Sequence, residues 1–353
     1  MSENYKDKLL GMVQGVFLGD ALGAPHEFWH SRNLVFTGKL KYKPKMVSRW
    51  QGTRYGFVGQ WTDDSEMTLT LLRSLAKSKG KYDRNQTILM YMKWANSKPV
   101  GLGNNTKSLL YGIKTLKGYE KRWNKLFGED VVRNIEPESN GSLMRASPLA
   151  VLSEHHPVIE DCNITNPTEL NNQANLVYVK AVRMALQGYS KEEIIKEAKK
   201  NKNETIQMIL AHAFHPEGIS PDYPSEEEIQ PYTVSCKFKG WVAIALYVTF
   251  HEFAFAKNFR TAIQNAIKKG GDTDTNAAIV GGLCGAYYGS QKIMKDKITK
   301  ENWNIIIGGR QDGDYYPSNK VGGRLSGDYP RSEEYTPHDL EELVSEIVKY
   351  YPL

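Results

Sequence analysis

The stretch Gly270-Gly271-Asp272-Thr273-Asp274-Thr275-Asn276-Ala277-Ala278-Ile279-Val280-Gly281-Gly282 sets two glycines, then two carboxylates one residue apart, ahead of a small apolar run. The glycines let the backbone turn sharply before the acids. In an extended segment residues i and i+2 point the same way, so Asp272 and Asp274 can aim at one spot. The run after them reads as a buried helix whose first turn holds the acids. A second acidic helix start, Gln60-Trp61-Thr62-Asp63-Asp64-Ser65-Glu66, precedes Met67-Thr68-Leu69-Thr70-Leu71-Leu72. Asp, Ser and Thr are ordinary N-cap residues, and acids suit the positive end of the helix dipole. Either stretch alone therefore reads first as a cap. Capping needs one short polar residue, however, and both starts carry several. If the acids converged without a cation, like-charge repulsion would raise some of their pKa values and weaken the fold. The expectation is that the two starts meet and share metal ions.

Composition bounds the alternatives. The chain has 353 residues, 40% of them hydrophobic, enough for a large core in one or two domains. The net charge of +6 is modest, and lysines alternate with acids, as in Lys191-Glu192-Glu193, a pattern of solvated helix faces. Nucleic-acid binding is not called for, although a mild positive field would attract a phosphate-bearing ligand. The 3 cysteines, Cys162, Cys236 and Cys284, are widely spaced and odd in number, which suggests a reduced, cytoplasmic setting. No secretory pattern opens the chain, and no stretch is long and apolar enough to span a membrane.

Residues 5–24 read as a helix with Leu9, Leu10, Val13, Val16 and Phe17 at helical spacing. Gly11, Gly15 and Gly19 recur every four residues along it. A mid-helix glycine costs roughly 1 kcal/mol, so a stripe of them implies close approach of another helix. Pro25 ends that helix near Gly23 and leaves Glu27 on the following loop. Residues 31–58 show no clear period and read as loop. Helices are expected from Thr62 or Asp63 to Lys77, over 82–94, and from near Lys107. The last follows a glycine-rich loop, Gly101-Leu102-Gly103-Asn104-Asn105-Thr106, whose N–H groups could face an anion. Asn140-Gly141-Ser142-Leu143-Met144-Arg145 leads into the apolar run 149–152, which reads as a helix capped by Ser142 or as an anion-facing turn. Arg145 needs a carboxylate or a phosphate partner. Further helices are expected at 169–187, 190–201, 203–214, 240–256, 259–268, 275–289 and 337–350. Residues 216–235 and 308–336, rich in Pro, Gly, Asp and Tyr, read as surface excursions. Period-2 alternation is rare, so the fold class is all-α, a single compact helical domain over 1–353.

The segments Gly19-Asp20-Ala21-Leu22-Gly23-Ala24-Pro25-His26-Glu27-Phe28, Trp61-Thr62-Asp63-Asp64-Ser65, Gly103-Asn104-Asn105-Thr106, Asn140 to Arg145 and Gly270 to Thr275 resemble, in order, the motifs of the ADP-ribosylglycohydrolase family. The resemblance implies an all-α domain with two Mg²⁺ or Mn²⁺ ions at the base of an ADP-ribose cleft. It implies Thr62, Asp63 and Asp64 on one side of the metal cluster, and Asp272, Asp274 and Thr275 on the other. Glu27 and Asp63 become the candidate catalytic carboxylates. Asn140, Gly141, Ser142 and Met144 would hold the pyrophosphate, with Gly101, Gly103, Asn104 and Thr106 as a further cleft wall. Asn166 stands where many members carry a ligand-facing histidine; an amide hydrogen-bonds but supplies no proton.

Oxygen ligands alone suit Mg²⁺ or Mn²⁺ over zinc. The expected activity is hydrolysis of the bond between ADP-ribose and an acceptor, by a monomer whose partner is an ADP-ribosylated protein or another ADP-ribose conjugate. Two rivals stay open. One is a phosphohydrolase with a nucleophilic Asp272, which usually wants a β-strand before the motif. The other is a catalytically silent ADP-ribose-binding protein, to which Asn166 gives weight.

Overall fold

The computed structural model describes residues 2–27, 36, 38–40, 59–128, 138–216, 240–308 and 331–352. Its elements are α1 (Ser2–Gly23), α2 (Asp63–Ser78), α3 (Arg84–Ala95), α4 (Asn104–Leu110), α5 (Leu116–Phe127), α6 (His156–Thr165) and α7 (Glu169–Gln187). They continue with α8 (Lys191–Ala198), α9 (Glu204–Ala213), α10 (Val242–Phe255), α11 (Phe259–Lys268), α12 (Thr273–Tyr288), α13 (Ser290–Ile293), α14 (Lys297–Gly308) and α15 (Leu340–Tyr350). Among the described residues there is no strand, only an isolated bridge between Ser139 and Trp241. The all-α expectation holds. No described helix is long and apolar enough to cross a membrane.

The glycine stripe explains the centre of the molecule. Leu9, Met12, Val13, Val16 and Phe17 of α1 are fully buried, and α12 lies along the helix. A Cβ on Gly15 would sit 2.0 Å from the Gly281 carbonyl oxygen, and one on Gly281 would sit 2.0 Å from that of Gly15. Gly11 meets Gly285 in the same way, and Gly19 meets Ala277. The two backbones therefore touch, which only side-chain-free positions permit. Thr273 Oγ1 donates to the Gly23 carbonyl at 2.8 Å and fixes the register where α1 ends and α12 begins.

Several helices end on their own polar side chains. Thr168 accepts from Asn171 N–H, Asn258 accepts from Thr261 N–H, and Ser190 forms a reciprocal capping box with Glu193. Helix α4 starts at Asn104, earlier than the expected Lys107, because Gly103 already serves as N-cap. The run after Asn140 is a set of turns followed by a short 3-10 segment, Ser147–Val151, capped at Ala146, so the expected Ser142 cap does not form. Helices α5, α6 and α14 were not expected. Pro157 sits in the first turn of α6, where a missing N–H costs nothing.

Nearly all of the expected 31–58 loop, and the bulk of the excursions at 216–235 and 308–336, lie outside the described residues. The described end of the last is packed: Arg331, Tyr335 and Thr336 are buried against α2 and α3.

Candidate active site

The two acidic helix starts meet. One ligand atom each from Asp20, Asp64 and Asp274 lie within 4.8 Å of one another, as do atoms from Glu27, Asp272 and Asp274. Asp274 belongs to both groups. The close seam between α1 and α12 brings Asp20, near the end of α1, beside the first turn of α12. Helix α2 joins by its N-terminus. Gly270 and Gly271, both with φ near +75°, turn the chain out of α11 and into Asp272. The motif thus follows a helix, not the strand that a phosphate-accepting aspartate usually needs.

Asp20 is the residue that sequence reasoning missed. It is fully buried and accepts from Thr62 N–H at 3.1 and 2.9 Å and from Ser65 N–H at 3.1 Å. The hydroxyls of Thr62 (2.9 Å) and Ser65 (2.5 Å) donate to it as well. No side chain of α2 caps that helix's own start; Asp20 does so from α1, satisfying free N–H groups of the first turn. A signal was present. Asp20 falls on the same helical face as Val13, Val16 and Phe17, where a charge needs a reason to be buried.

Thr62 Oγ1 also lies 3.0 Å from Asp64 Oδ2. The other oxygen of Asp64, Oδ1, is buried with no hydrogen-bond partner among the described residues. A carboxylate that meets two others while one of its oxygens is orphaned is costly unless a cation completes it. Burial pushes the Asp64 and Asp274 carboxyls well above the usual range. The facing acids add to this: Asp20, Asp63 and Asp272 for Asp64, and Glu27, Asp272 and Asp64 for Asp274. Burial likewise raises Asp20 to about 6, against its four hydrogen-bond donors. The donor set is oxygen throughout, and a hard divalent ion fits it.

Asp63 is placed differently. Its residue keeps some exposure, and its Oδ2 accepts from Gly103 N–H at 3.1 Å. Burial of its carboxyl group raises it to about 7, against the pull of that N–H. It belongs to neither carboxylate group among the described residues. It anchors the 101–103 turn: Gly101 has φ +71°, and a Cβ there would lie 2.6 Å from Asp63 Oδ1. Thr275 is buried in the first turn of α12 and donates its N–H to Asp274 Oδ1 at 3.0 Å.

The expected ligand loops lie against these acids. Asn140 Nδ2 donates to Asp272 Oδ2 at 2.8 Å, and Gly240, which the sequence did not single out, packs beside both. Asn105 Nδ2 donates to Ser139 Oγ at 3.0 Å, which joins the two loops; Thr106 is buried behind them and Asn104 is exposed. Gly141 lies between Asn166 and Thr106.

Ser142, Met144 and Asn166 are buried inside the loop's support. Ser142 Oγ accepts from Asn175 Nδ2 at 3.0 Å, and the Met144 carbonyl accepts from Thr68 Oγ1 at 3.2 Å. Asn166 Nδ2 donates to the Ser139 carbonyl at 3.1 Å and to Ser139 Oγ at 3.0 Å. Arg145 takes the carboxylate of the two partners considered. Its Nε donates to Asp161 Oδ2 at 3.0 Å, and its Nη1 reaches the Gly141 carbonyl and Thr165 Oγ1, each at 2.9 Å.

Comparison with known proteins bears on the family and the fold. The sequence model of the ADP-ribosylglycohydrolase family matches residues 1–302. The ADP-ribosyl-dinitrogen reductase glycohydrolase of Rhodospirillum rubrum is 27% identical over 316 residues, covering 85% of this chain and 92% of that protein. The ADP-ribosylarginine hydrolase Tri1 of Pseudomonas putida (strain GB-1) is 24% identical over 327 residues, covering 86% of this chain and 77% of its own. Among solved structures, an ADP-ribosylglycohydrolase-related protein complex superposes with a TM-score of 0.61 at 21% identity, over 86% of this chain and 98% of that one. That last likeness speaks for the fold.

Proposed function

The chain belongs to the ADP-ribosylglycohydrolase family of hydrolases, and on that premise we propose that it removes ADP-ribose from a modified protein side chain in a reaction that needs Mg²⁺ or Mn²⁺. The observation that carries the metal part is the Asp64 carboxylate, which meets those of Asp20 and Asp274 while its Oδ1 is buried without a hydrogen-bond partner among the described residues. Asp64, Asp272 and Asp274 would hold the ions, with Thr62 and Thr275 beside them. Two carboxylate groups sharing Asp274 support a pair of ions over a single one. When bound, such ions orient ribose hydroxyls and lower the pKa of a water.

The remaining roles fall to side chains and backbone. Glu27, partly exposed and grouped with Asp272 and Asp274, would take the proton from the attacking water as the anomeric carbon gains oxocarbenium character. Asp63, the other candidate, would instead hold Gly103 in place. The backbone of 101–106 and of 140–141 would line the diphosphate. Asn140 would keep Asp272 turned towards the ions through its amide.

The relatives named for ADP-ribosylarginine and for dinitrogen reductase make an arginine-linked conjugate the first to try. The test is a panel of ADP-ribosylated arginine, ADP-ribosylated serine and poly(ADP-ribose), each with Mg²⁺, Mn²⁺ or EDTA. Release of ADP-ribose from at least one, abolished by EDTA, is expected. Turnover unaffected by EDTA would contradict the metal role. Asn166 favours one second reading, a binding protein without turnover, since its buried amide cannot shuttle a proton. Tight ADP-ribose binding with no release from any member of the panel would establish that reading instead.

A further inference from the structure

Arg331 lies outside the matched residues 1–302, yet it is buried beside the candidate site. Its Nε and Nη2 donate to Glu66 Oε1 and Oε2 at 2.8 and 2.7 Å. Its Nη1 donates to the carbonyls of Ser97 (2.6 Å) and Lys98 (3.2 Å), and Nη2 also donates to Ser97 Oγ at 2.8 Å. All five guanidinium donors are thereby engaged. Only two of these bonds serve the ion pair with Glu66. The other three hold one turn, residues 97–98, at the entrance to the 101–106 loop.

Glu66 sits on the first turns of α2, three residues after Asp63. The 97–103 segment is therefore tied to that part of α2 at both ends, through Arg331 and Glu66 at its start and through Asp63 and Gly103 at its finish. Trp94 Nε1 adds a bond to Glu66 Oε2 at 2.8 Å, which fixes the carboxylate from α3. Within the first tie, Lys98 adopts φ +53°. A side-chain-bearing residue holds that strained conformation where its surroundings over-determine it. Two successive carbonyls converging on one guanidinium supply that constraint.

We propose that Arg331 is a positioning residue for the ligand cleft: it sets the 97–103 turn, and with it the Gly101 and Gly103 backbone, at a fixed distance from the carboxylates of α2. The proposal rests on the reading of that turn as a wall for ADP-ribose. An arginine that merely anchored the chain's end would direct its donors to α2 alone. A lysine at this place would keep the charge but offer three donors without the planar fork.

The test uses the full chain with Arg331→Lys and Arg331→Met. Amide hydrogen exchange is followed on peptides spanning 96–108 and, as a reference, on α12. ADP-ribose affinity is measured by calorimetry in the presence of Mn²⁺. Both variants should exchange about tenfold faster over 96–108 with α12 unchanged, Met more than Lys. ADP-ribose binding should weaken by about tenfold in parallel. Wild-type exchange over 96–108 in a folded variant would overturn the proposal, and so would a uniform acceleration that includes α12. Unchanged ADP-ribose affinity in a variant whose turn has loosened would overturn it too. Should the Met variant not fold, the Lys variant decides. If the wild type binds no ADP-ribose, the reading of the cleft fails, while the exchange result still decides what Arg331 holds.

Discussion

Asp20 joins two helices with one carboxylate, taking N–H and hydroxyl donors from Thr62 and Ser65 while facing Asp64 and Asp274. Asp20→Ala leaves the buried Thr62 and Ser65 donors unpaired, at about 1–3 kcal/mol each. The variant is expected to unfold several degrees lower than wild type and to bind Mn²⁺ more weakly. Thermal unfolding with and without Mn²⁺ reads both effects, and an unchanged midpoint would remove Asp20 from the account. The raised carboxyls make a pH prediction. Asp20 and Asp63 move from 3.8 to about 6 and about 7 in the folded protein. An acid raised on folding contributes stability that is fully present below its unfolded pKa and is lost as pH rises through the folded one. Without divalent ions, the contribution of these groups therefore declines between pH 4 and 7. Mn²⁺ competes with protons on Asp64 and Asp274, whose carboxyls are raised as well, so the midpoint difference between Mn²⁺ and EDTA samples should widen from pH 5 to pH 7.5. An equal difference at both pH values would contradict this. At this scale the sequence showed Asp64, Asp272 and Asp274 clearly, because acids clustered at helix starts exceed what capping requires. It did not show which way Ser142 points, since the turns of 138–146 carry no period from which direction can be read.

The α1 and α12 seam is the element on which the site depends. Gly15→Ala places a methyl 2.0 Å from the Gly281 carbonyl oxygen, backbone against backbone, with no flexible side chain to yield. Overpacking of this kind costs about 3 kcal/mol or more, and separating the helices also moves Asp20 away from Asp274. Chemical denaturation of Gly15→Ala should show that loss, together with weaker Mn²⁺ binding. A variant as stable as wild type would mean that the helices are not in contact. The stripe of glycines announced a close partner helix, and α12 provides matching Gly281 and Gly285. Helices α5, α6 and α14 were illegible for a different reason. Gly118 and Pro157 sit in first turns and look like breaks, yet both places tolerate them, and few fully buried apolar residues mark α5.

Across the whole molecule, the chain's end closes on the site's helix. Arg73 on α2 pairs with Asp339 at 2.6 and 2.7 Å, Lys93 on α3 pairs with Glu334 at 2.6 Å, and Tyr351 Oη donates to the Leu75 carbonyl at 2.8 Å. Leu340, Leu343, Val344 and Ile347 of α15 bury the apolar face that reaches α1 and α2. Deleting residues 331–353 strands the buried Glu66 carboxylate, a loss of about 3–5 kcal/mol before the apolar contacts are counted. The shortened chain should be markedly less stable by calorimetry or fail to accumulate, even though it retains residues 1–302. Full stability would show that the end is dispensable.

The central claim is that helix starts distant in sequence converge to hold divalent ions for release of ADP-ribose. It is tested most directly by counting Mn²⁺ bound to wild type and to Asp274→Asn by electron paramagnetic resonance, alongside ADP-ribosylarginine hydrolysis. The account predicts about two Mn²⁺ per wild-type chain, fewer in the variant, and loss of turnover with the ion. Mn²⁺ binding that is absent from wild type, or equal in both proteins, would contradict it.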